Sequence, residues 1–369
     1  MPLRPTEPAA RRTPLWLNLA LSALVLLLLL LLIEGFSSLM MSVKAARHTL
    51  FMREVSHTRH DAELGWAHRP GAHVPDQYGP GRGITTNAQG FRATEDYTRT
   101  VPTGRYRLVA LGDSFTMGYG VSDTDHYPAQ MQAACPTLQT VNMGQGGYGL
   151  DQDYLWYKRD GVALDAQVLM VALIAHDFFR MGQDQFIGYP KPVLAVEGQA
   201  LVVKNVPVPI SWMSNTSVRK VLAFTESLAA YRLIRAVAWH AAPPAEVLFY
   251  GEVSQNVMAA AGKALDDMAA LSKARGQQMV LVYLPTADLL PEEPSREATW
   301  MQAYALQAKL PFVNLVAEFS RLAPARQAGL FLADKHYTPE GNRRVGRALL
   351  RELSAKLPGF PTCPNGLVP

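Results

Sequence analysis

"RLVALGDSFTMGYG", residues 107–120, decides how this chain is read. An apolar run from Leu108 to Leu111 stops at Gly112-Asp113-Ser114 and passes into a loop of small and hydroxyl residues. A short, continuously apolar run fits a strand buried on both faces of a parallel sheet. A serine delivered by such a strand to a glycine-rich turn is either part of a plain strand-to-helix connection or a nucleophile held at the sheet's edge. The choice depends on whether the rest of the chain supplies a base and donors for an oxyanion.

Four more runs have the same character: residues 138–143, 167–175, 278–284 and 312–316. Helical patterns separate them, at residues 127–134, 150–159, 253–274 and 296–309, and a last helix is predicted over 339–356. This alternation implies an α/β fold, a parallel sheet covered by helices on both faces. An insert at 178–250 interrupts it. The insert contains a predicted hairpin, "PVLAVEGQALVV", turning at Glu197-Gly198, and an amphipathic helix near 218–239. At the end of a central strand it is placed to form a lid or substrate wall, or else a decoration on the sheet's edge.

The 369 residues carry a net charge of +4, too small and too scattered to argue for nucleic acid. Residues 15–33, "LWLNLALSALVLLLLLLLI", are apolar except for Asn18 and Ser22 and span roughly the 30 Å hydrocarbon core. The run is longer than the apolar part of a cleaved signal peptide, so we read it as an uncleaved anchor following a tail of residues 1–14. Basic residues are tied across it: Arg4, Arg11 and Arg12 before, Lys44, Arg47 and Arg53 after. Arg11 and Arg12 abut the apolar start, whereas Glu34 is the first charge beyond it. This places the N-terminus in the cytoplasm and the large domain outside, in the periplasm. Residues 34–104 read as a juxtamembrane linker and extended lead segment, 105–358 as the main domain and 359–369 as a tail. Two cysteines, Cys135 and Cys363, suit an oxidising compartment if they pair; two unpaired buried thiols are the other reading.

Gly-Asp-Ser alone arises by chance in roughly one in ten chains of this length, so its context has to carry the argument. The serine sits where a parallel strand ends, which is where open α/β sheets bind ligands. A serine hydroxyl needs a base. "FLADKHYTPEGNRRVG" offers His336, with Asp334 two residues before it. In a loop, residues two apart share a side, so Asp334 can hold one imidazole nitrogen and leave the other for Ser114. Thr338 and Pro339 suit an N-cap and a first helical position, which puts His336 on the loop just before the last helix. Taken in isolation the pair reads as a surface turn. For the oxyanion, the Ser114 amide is one candidate donor. The loop "NMGQGGYG" after the second strand offers Gly147, with Gly144 behind it. After the third strand, "ALIAHDFFR" places His176 and Asp177 at the same crevice.

These blocks, in this order, resemble the SGNH, or GDSL-type, hydrolases. The resemblance covers residues 108–341. "ELGW" and "NAQGFR", ahead of it, are similar to segments of membrane-tethered bacterial members. It implies a flavodoxin-like α/β/α sandwich that cleaves esters of lipids, sugars or acylated glycans, or moves acetyl groups on surface polysaccharides. By resemblance Ser114 is the nucleophile, His336 the base, Asp334 its orienter and Gly147 an oxyanion donor, with no cofactor. Two departures stand out. The family has Gly-Asn-Asp where this chain has Ala175-His176-Asp177, so a histidine replaces the asparagine donor. Many relatives also have two residues between the Asp and the His, and this chain has one. The Gly-x-Ser-x-Gly elbow of α/β-hydrolases is absent, because Thr116 occupies the second glycine's place.

The expected activity is that of a membrane-anchored serine esterase acting on O-acyl, above all acetyl, esters of a cell-surface glycan or other ester substrate. An acyltransferase using the same site and a catalytically weak glycan- or partner-binding protein are the alternatives. No protein partner is identified. His57, His60, His68 and His73, beside Asp61 and Glu63, could bind a metal in principle, but the surrounding prolines and glycines favour a solvated linker. Tyr119 and Tyr148 are placed to stack on sugar rings, whereas Trp66 is better read as packing.

Overall fold

The computed structural model describes residues 14–45, 57–210, 224, 228, 230, 234, 253–292 and 294–363. The chain divides into two units, Met1–Leu50 with Lys220–Glu246, and Phe51–Arg219 with Val247–Pro369. The first holds helix α1 (Leu15–Ala45). Its segment Leu15–Ser37 is long and apolar enough to cross a membrane, a property that an anchor and a signal sequence share. Most of the helix expected near 218–239 lies outside the described residues; residues 224, 230 and 234 are helical.

The second unit opens with two small antiparallel pairs, β1 (Thr58–Asp61) with β2 (Gly65–His68) and β3 (His73–Val74) with β4 (Ile84–Thr85). This is a correction to the solvated-linker reading. Leu64, Trp66 and Phe91 belong to the core, and His57 and His68 are fully buried. Burial holds the His68 imidazole well below its ordinary pKa, which keeps it neutral. Among the described residues no group of three or more His, Cys, Asp or Glu is arranged to hold a metal.

The main domain then follows the predicted alternation. Its elements are β5 (Tyr106–Gly112), α2 (Ser114–Met117), α3 (Tyr127–Ala134), β6 (Leu138–Gly144), α4 (Leu150–Arg159), β7 (Val168–Leu173) and α5 (Ala175–Met181). Short pairs β8 (Gln185–Phe186) with β9 (Tyr189–Pro190), and β10 (Val193–Glu197) with β11 (Ala200–Lys204), start the insert. The second of these is the expected hairpin, its two-residue loop falling at Gly198-Gln199. Helix α6 (Gln255–Ala274), β12 (Gln278–Tyr283), α7 (Arg296–Ala308), β13 (Phe312–Asn314) and α8 (Pro339–Lys356) follow, with two five-residue helices, Val316–Ser320 and Pro324–Ala328, between the last two.

Five strands form one parallel sheet in the order β13-β12-β7-β5-β6. Numbered along the chain this is 2-1-3-4-5, the flavodoxin-like order. Alternate strand residues face opposite sides. Val109, Leu111, Leu169, Val171 and Leu281 pack with α4, α6 and α7, while Leu108, Ala110, Met170, Val280 and Val282 pack with α3 and α8. Both faces are therefore dry, which is why the strands read as unbroken apolar runs. Truncating any one of these leucines to alanine costs about 2–5 kcal/mol. Cys135, at the end of α3, and Cys363, beyond α8, form a disulfide.

The chain reverses direction across the sheet at the β5/β7 pair, and in such folds the crevice outside that switch point receives the ligand. The segments leaving β5 and β7 carry Ser114 and His176.

Candidate active site

Ser114 opens α2, a single turn. Asp113 caps it, its Oδ1 accepting from the Phe115 amide at 2.9 Å. Strand β6 comes very close to this turn. At Gly144 a Cβ would lie 2.1 Å from the Met117 nitrogen and 2.6 Å from the Thr116 carbonyl carbon, so only glycine fits there. The ladder continues one step beyond the strands, the Gln145 amide donating to the Gly112 carbonyl at 3.0 Å. Gly147 follows with φ +76°, a left-handed conformation, and the Phe186 ring occupies the place its Cβ would take.

Folding brings the distant loop to the serine. His336 Nε2 lies 2.8 Å from Ser114 Oγ, across 222 residues of sequence. Asp334 Oδ1 lies 3.3 Å from His336 Nδ1 and accepts the His336 backbone amide at 3.2 Å. Burial works to raise the Asp334 pKa, but the hydrogen bond and charge of His336 outweigh it and hold the carboxyl below its ordinary value. One residue suffices between the two because Lys335 adopts φ +71°, a left-handed turn that folds Asp334 back onto the imidazole. The Lys335 amide donates to Leu332 and the Leu332 amide to His336, closing that turn. The imidazole packs on two rings, Tyr119 at 4.4 Å and Phe115 at 4.9 Å between centroids.

The third block differs from its sequence reading. The strand ends at Leu173, and His176 and Asp177 lie in the first turn of α5. The helix begins there because Asp177 Oδ2 accepts the Ile174 amide at 2.9 Å. His176 is buried, its Nε2 3.6 Å from Asp288 Oδ2. Asp177, grouped with the substrate side by its place in the sequence, lies instead entirely inside the protein. Arg180 Nη1 donates to Asp177 Oδ1 at 2.8 Å, to Asp113 Oδ2 at 2.9 Å and to the Tyr148 carbonyl at 2.9 Å. Burial, then the charge of Asp113, pushes the Asp177 carboxyl well above its ordinary pKa. Tyr148 is no sugar platform either. It is fully buried and its hydroxyl donates to the Trp66 carbonyl. Tyr119 is committed to His336, and Trp66 packs as expected, its indole Nε1 donating to Gly146 at 2.9 Å.

Sequence reasoning missed Arg180, Phe186, Asp288 and the arginines of the lead segment. The one local signal was the spacing of Asp177 and Arg180, which meet at i and i+3 on a helix.

No protein-family model and no curated protein matches this chain. Solved structures do. A member of the lipolytic protein G-D-S-L family from Veillonella parvula DSM 2008 is 13% identical, covering 67% of this chain and 97% of that one at a TM-score of 0.38. A GDSL-like lipase from Bacteroides thetaiotaomicron VPI-5482 is 13% identical over 70% of this chain and 92% of its own, at 0.38. An acetylxylan esterase from Geobacillus stearothermophilus is 15% identical over 69% and 95%, at 0.40. Likeness at this level transfers no activity.

Proposed function

We propose that the chain is a serine esterase of the SGNH type, tethered to the cytoplasmic membrane by α1, with its main domain on the periplasmic side. The contact that carries this reading is the 2.8 Å approach of His336 Nε2 to Ser114 Oγ, with Asp334 on the other imidazole nitrogen. The Ser114 hydroxyl donates to Nε2 and the His336 Nδ1–H donates to Asp334. As Ser114 attacks an acyl carbonyl, His336 takes its proton and then returns it to the leaving alcohol. The amides of Ser114 and Gly147 receive the oxyanion, and water resolves the acyl-serine by the same steps in reverse.

The disulfide supports an oxidising compartment. A nucleophile only 7% exposed, beside a glycine loop covered by Phe186, favours a small acyl group. Together with the family resemblance this points to acetyl esters of a surface glycan. Where an acceptor hydroxyl replaces water, the same serine performs acyl transfer.

The test is labelling of the full chain with a fluorophosphonate. We expect the wild type to label, Ser114→Ala not to label, and His336→Ala to label at least a hundredfold more slowly. Labelling at background in all three would leave a binding protein and end the covalent reading. Comparing p-nitrophenyl acetate with octanoate then tests the acyl preference.

A further inference from the structure

The proposed chemistry makes no use of the buried arginine that ends "NAQGFR". Arg92 is 1% exposed. It lies more than twenty residues before Ser114, in the lead segment that precedes the main domain in sequence. Asn87 shapes the turn that presents it, its Oδ1 accepting the amides of Gln89 at 3.0 Å and Phe91 at 2.9 Å. The guanidinium reaches the loop that follows the Ser114 turn. It donates to the carbonyls of Met117 at 2.9 Å, Gly118 at 2.5 Å and Val121 at 2.8 Å, and through Nε to Asp123 at 3.2 Å. Arg82 donates to the Gly120 carbonyl at 3.2 Å. Residues 117, 118, 120 and 121 thus all give their carbonyls to arginines of the lead segment.

Tyr119 is the ring this loop carries. Its centroid lies 4.4 Å from that of His336 and 5.2 Å from that of Tyr78, and Tyr78 in turn lies under the Arg92 guanidinium at 5.9 Å. A continuous column therefore runs from Arg92 through Tyr78 and Tyr119 to the imidazole. Only a guanidinium can serve so many carbonyls at once, because it has five donors in a rigid fork, whereas an ammonium has three on a single atom.

We infer that Arg92 is a positioning residue for His336. It fixes the 117–121 loop so that Tyr119 holds the imidazole with Nε2 facing Ser114. The inference deepens the proposed esterase site and rests on it.

Two measurements on the full chain test it. The first is kcat for p-nitrophenyl acetate per fluorophosphonate-titrated site. We expect Arg92→Lys and Tyr119→Ala each to lower kcat by about tenfold or more, since a displacement of about 1 Å costs up to 10². KM should stay within twofold. Tyr119→Phe should regain most of what Tyr119→Ala loses, and the Arg92→Lys/Tyr119→Ala double variant should be little worse than either alone. The second is the rate at which diethyl pyrocarbonate modifies His336, read by mass spectrometry against the exposed His73. Both single variants should raise it severalfold. Should Arg92→Lys fail to accumulate as folded protein, Arg82→Ala with Tyr119→Ala carries the same comparison. The inference is overturned if kcat per titrated site stays within twofold of wild type, if the losses multiply in the double variant, or if His336 modifies at an unchanged rate. A wild type that takes no fluorophosphonate would sink the esterase reading instead. The modification rates, which need no turnover, would still decide whether Arg92 fixes His336.

Discussion

Replacing Gly147 with alanine probes the oxyanion loop directly. The backbone there has φ +76°, and an L residue in that region costs roughly 1–2 kcal/mol. The new Cβ would also lie 2.5 Å and 2.6 Å from two Phe186 ring carbons, far inside the ~3.5–4.0 Å of a normal carbon contact. Phe186 is not free to swing away. Its ring stacks on Trp66 at 6.2 Å and sits under the Arg180 guanidinium at 5.2 Å. Overpacking of this kind costs about 1–3 kcal/mol. Gly147→Ala should therefore lose about 2–5 kcal/mol in urea unfolding. If the 147 amide receives the oxyanion, kcat per titrated site should fall about 10²–10³ as the peptide rotates to relieve the clash. The two effects separate in a double-mutant cycle. In a Phe186→Ala background the stability penalty of Gly147→Ala should shrink by about 1–3 kcal/mol, because the overlap is gone while the φ strain remains. An equal penalty in both backgrounds would refute the steric argument. A loss in kcat below about tenfold would remove Gly147 from the oxyanion site.

Other outcomes follow from single residues. Lys335→Gly relieves the φ +71° strain of roughly 1–2 kcal/mol but adds about 0.5–1 kcal/mol of backbone entropy cost. It should leave stability level or slightly improved by thermal melt, whereas Lys335→Val should lower both stability and kcat. Replacing Cys135 and Cys363 with serine opens a cross-link spanning 228 residues of sequence, which the chain-entropy account values at about 5 kcal/mol. Urea titration should show it, and the oxidised wild type should lose the same amount on reduction. Asp334 has a lowered pKa in the folded state, so its contribution is present above the ordinary carboxylate pKa and is lost as pH falls through the lowered value. Unfolding free energy measured between pH 6 and pH 3 should fall on the acid side, and less steeply in Asp334→Asn.

The sheet was legible because a strand buried on both faces leaves a long, simple signature, and five such runs lay between helical patterns. The meeting of Ser114 with His336 was legible because each sits on a short segment whose fixed boundaries follow from local chemistry: a strand end for one, Thr338 and Pro339 for the other. The lead segment was not. Its strands are two to four residues long, too short for any period to show, and its hold on the domain comes from individual side chains such as Arg92 and the Trp66 indole. Proline and glycine there mark turns between packed pieces, and composition alone does not distinguish such turns from a linker. The third strand ends at Leu173, two residues earlier than its sequence reading, for a related reason. An apolar run continues smoothly from strand into helix, and only the Asp177 side chain, folding back to the Ile174 amide, marks the boundary.

The same aspartates account for the buried guanidinium beneath the nucleophile. Asp113 is needed as the cap that starts the Ser114 turn, yet its Oδ2 lies 3.4 Å from Ser114 Oγ. Two like unit charges at that separation repel by roughly 5 kcal/mol at an effective dielectric of about 20. On the proposed chemistry, an unneutralised carboxylate there would oppose charge building at the serine by about 10³–10⁴ in rate. Arg180 takes Asp113 and Asp177 on one nitrogen, and those two carboxyls raise its own pKa against the effect of burial. Arg180 thus sets its positive charge against both carboxyls beneath the serine turn. Asp113 caps that turn through Oδ1 while Arg180 holds its Oδ2, the oxygen nearer the nucleophile. Asn, which also caps but carries no charge, would need no arginine; the pairing of Asp113 with Arg180 therefore holds α5 to the serine turn as well as cancelling a field.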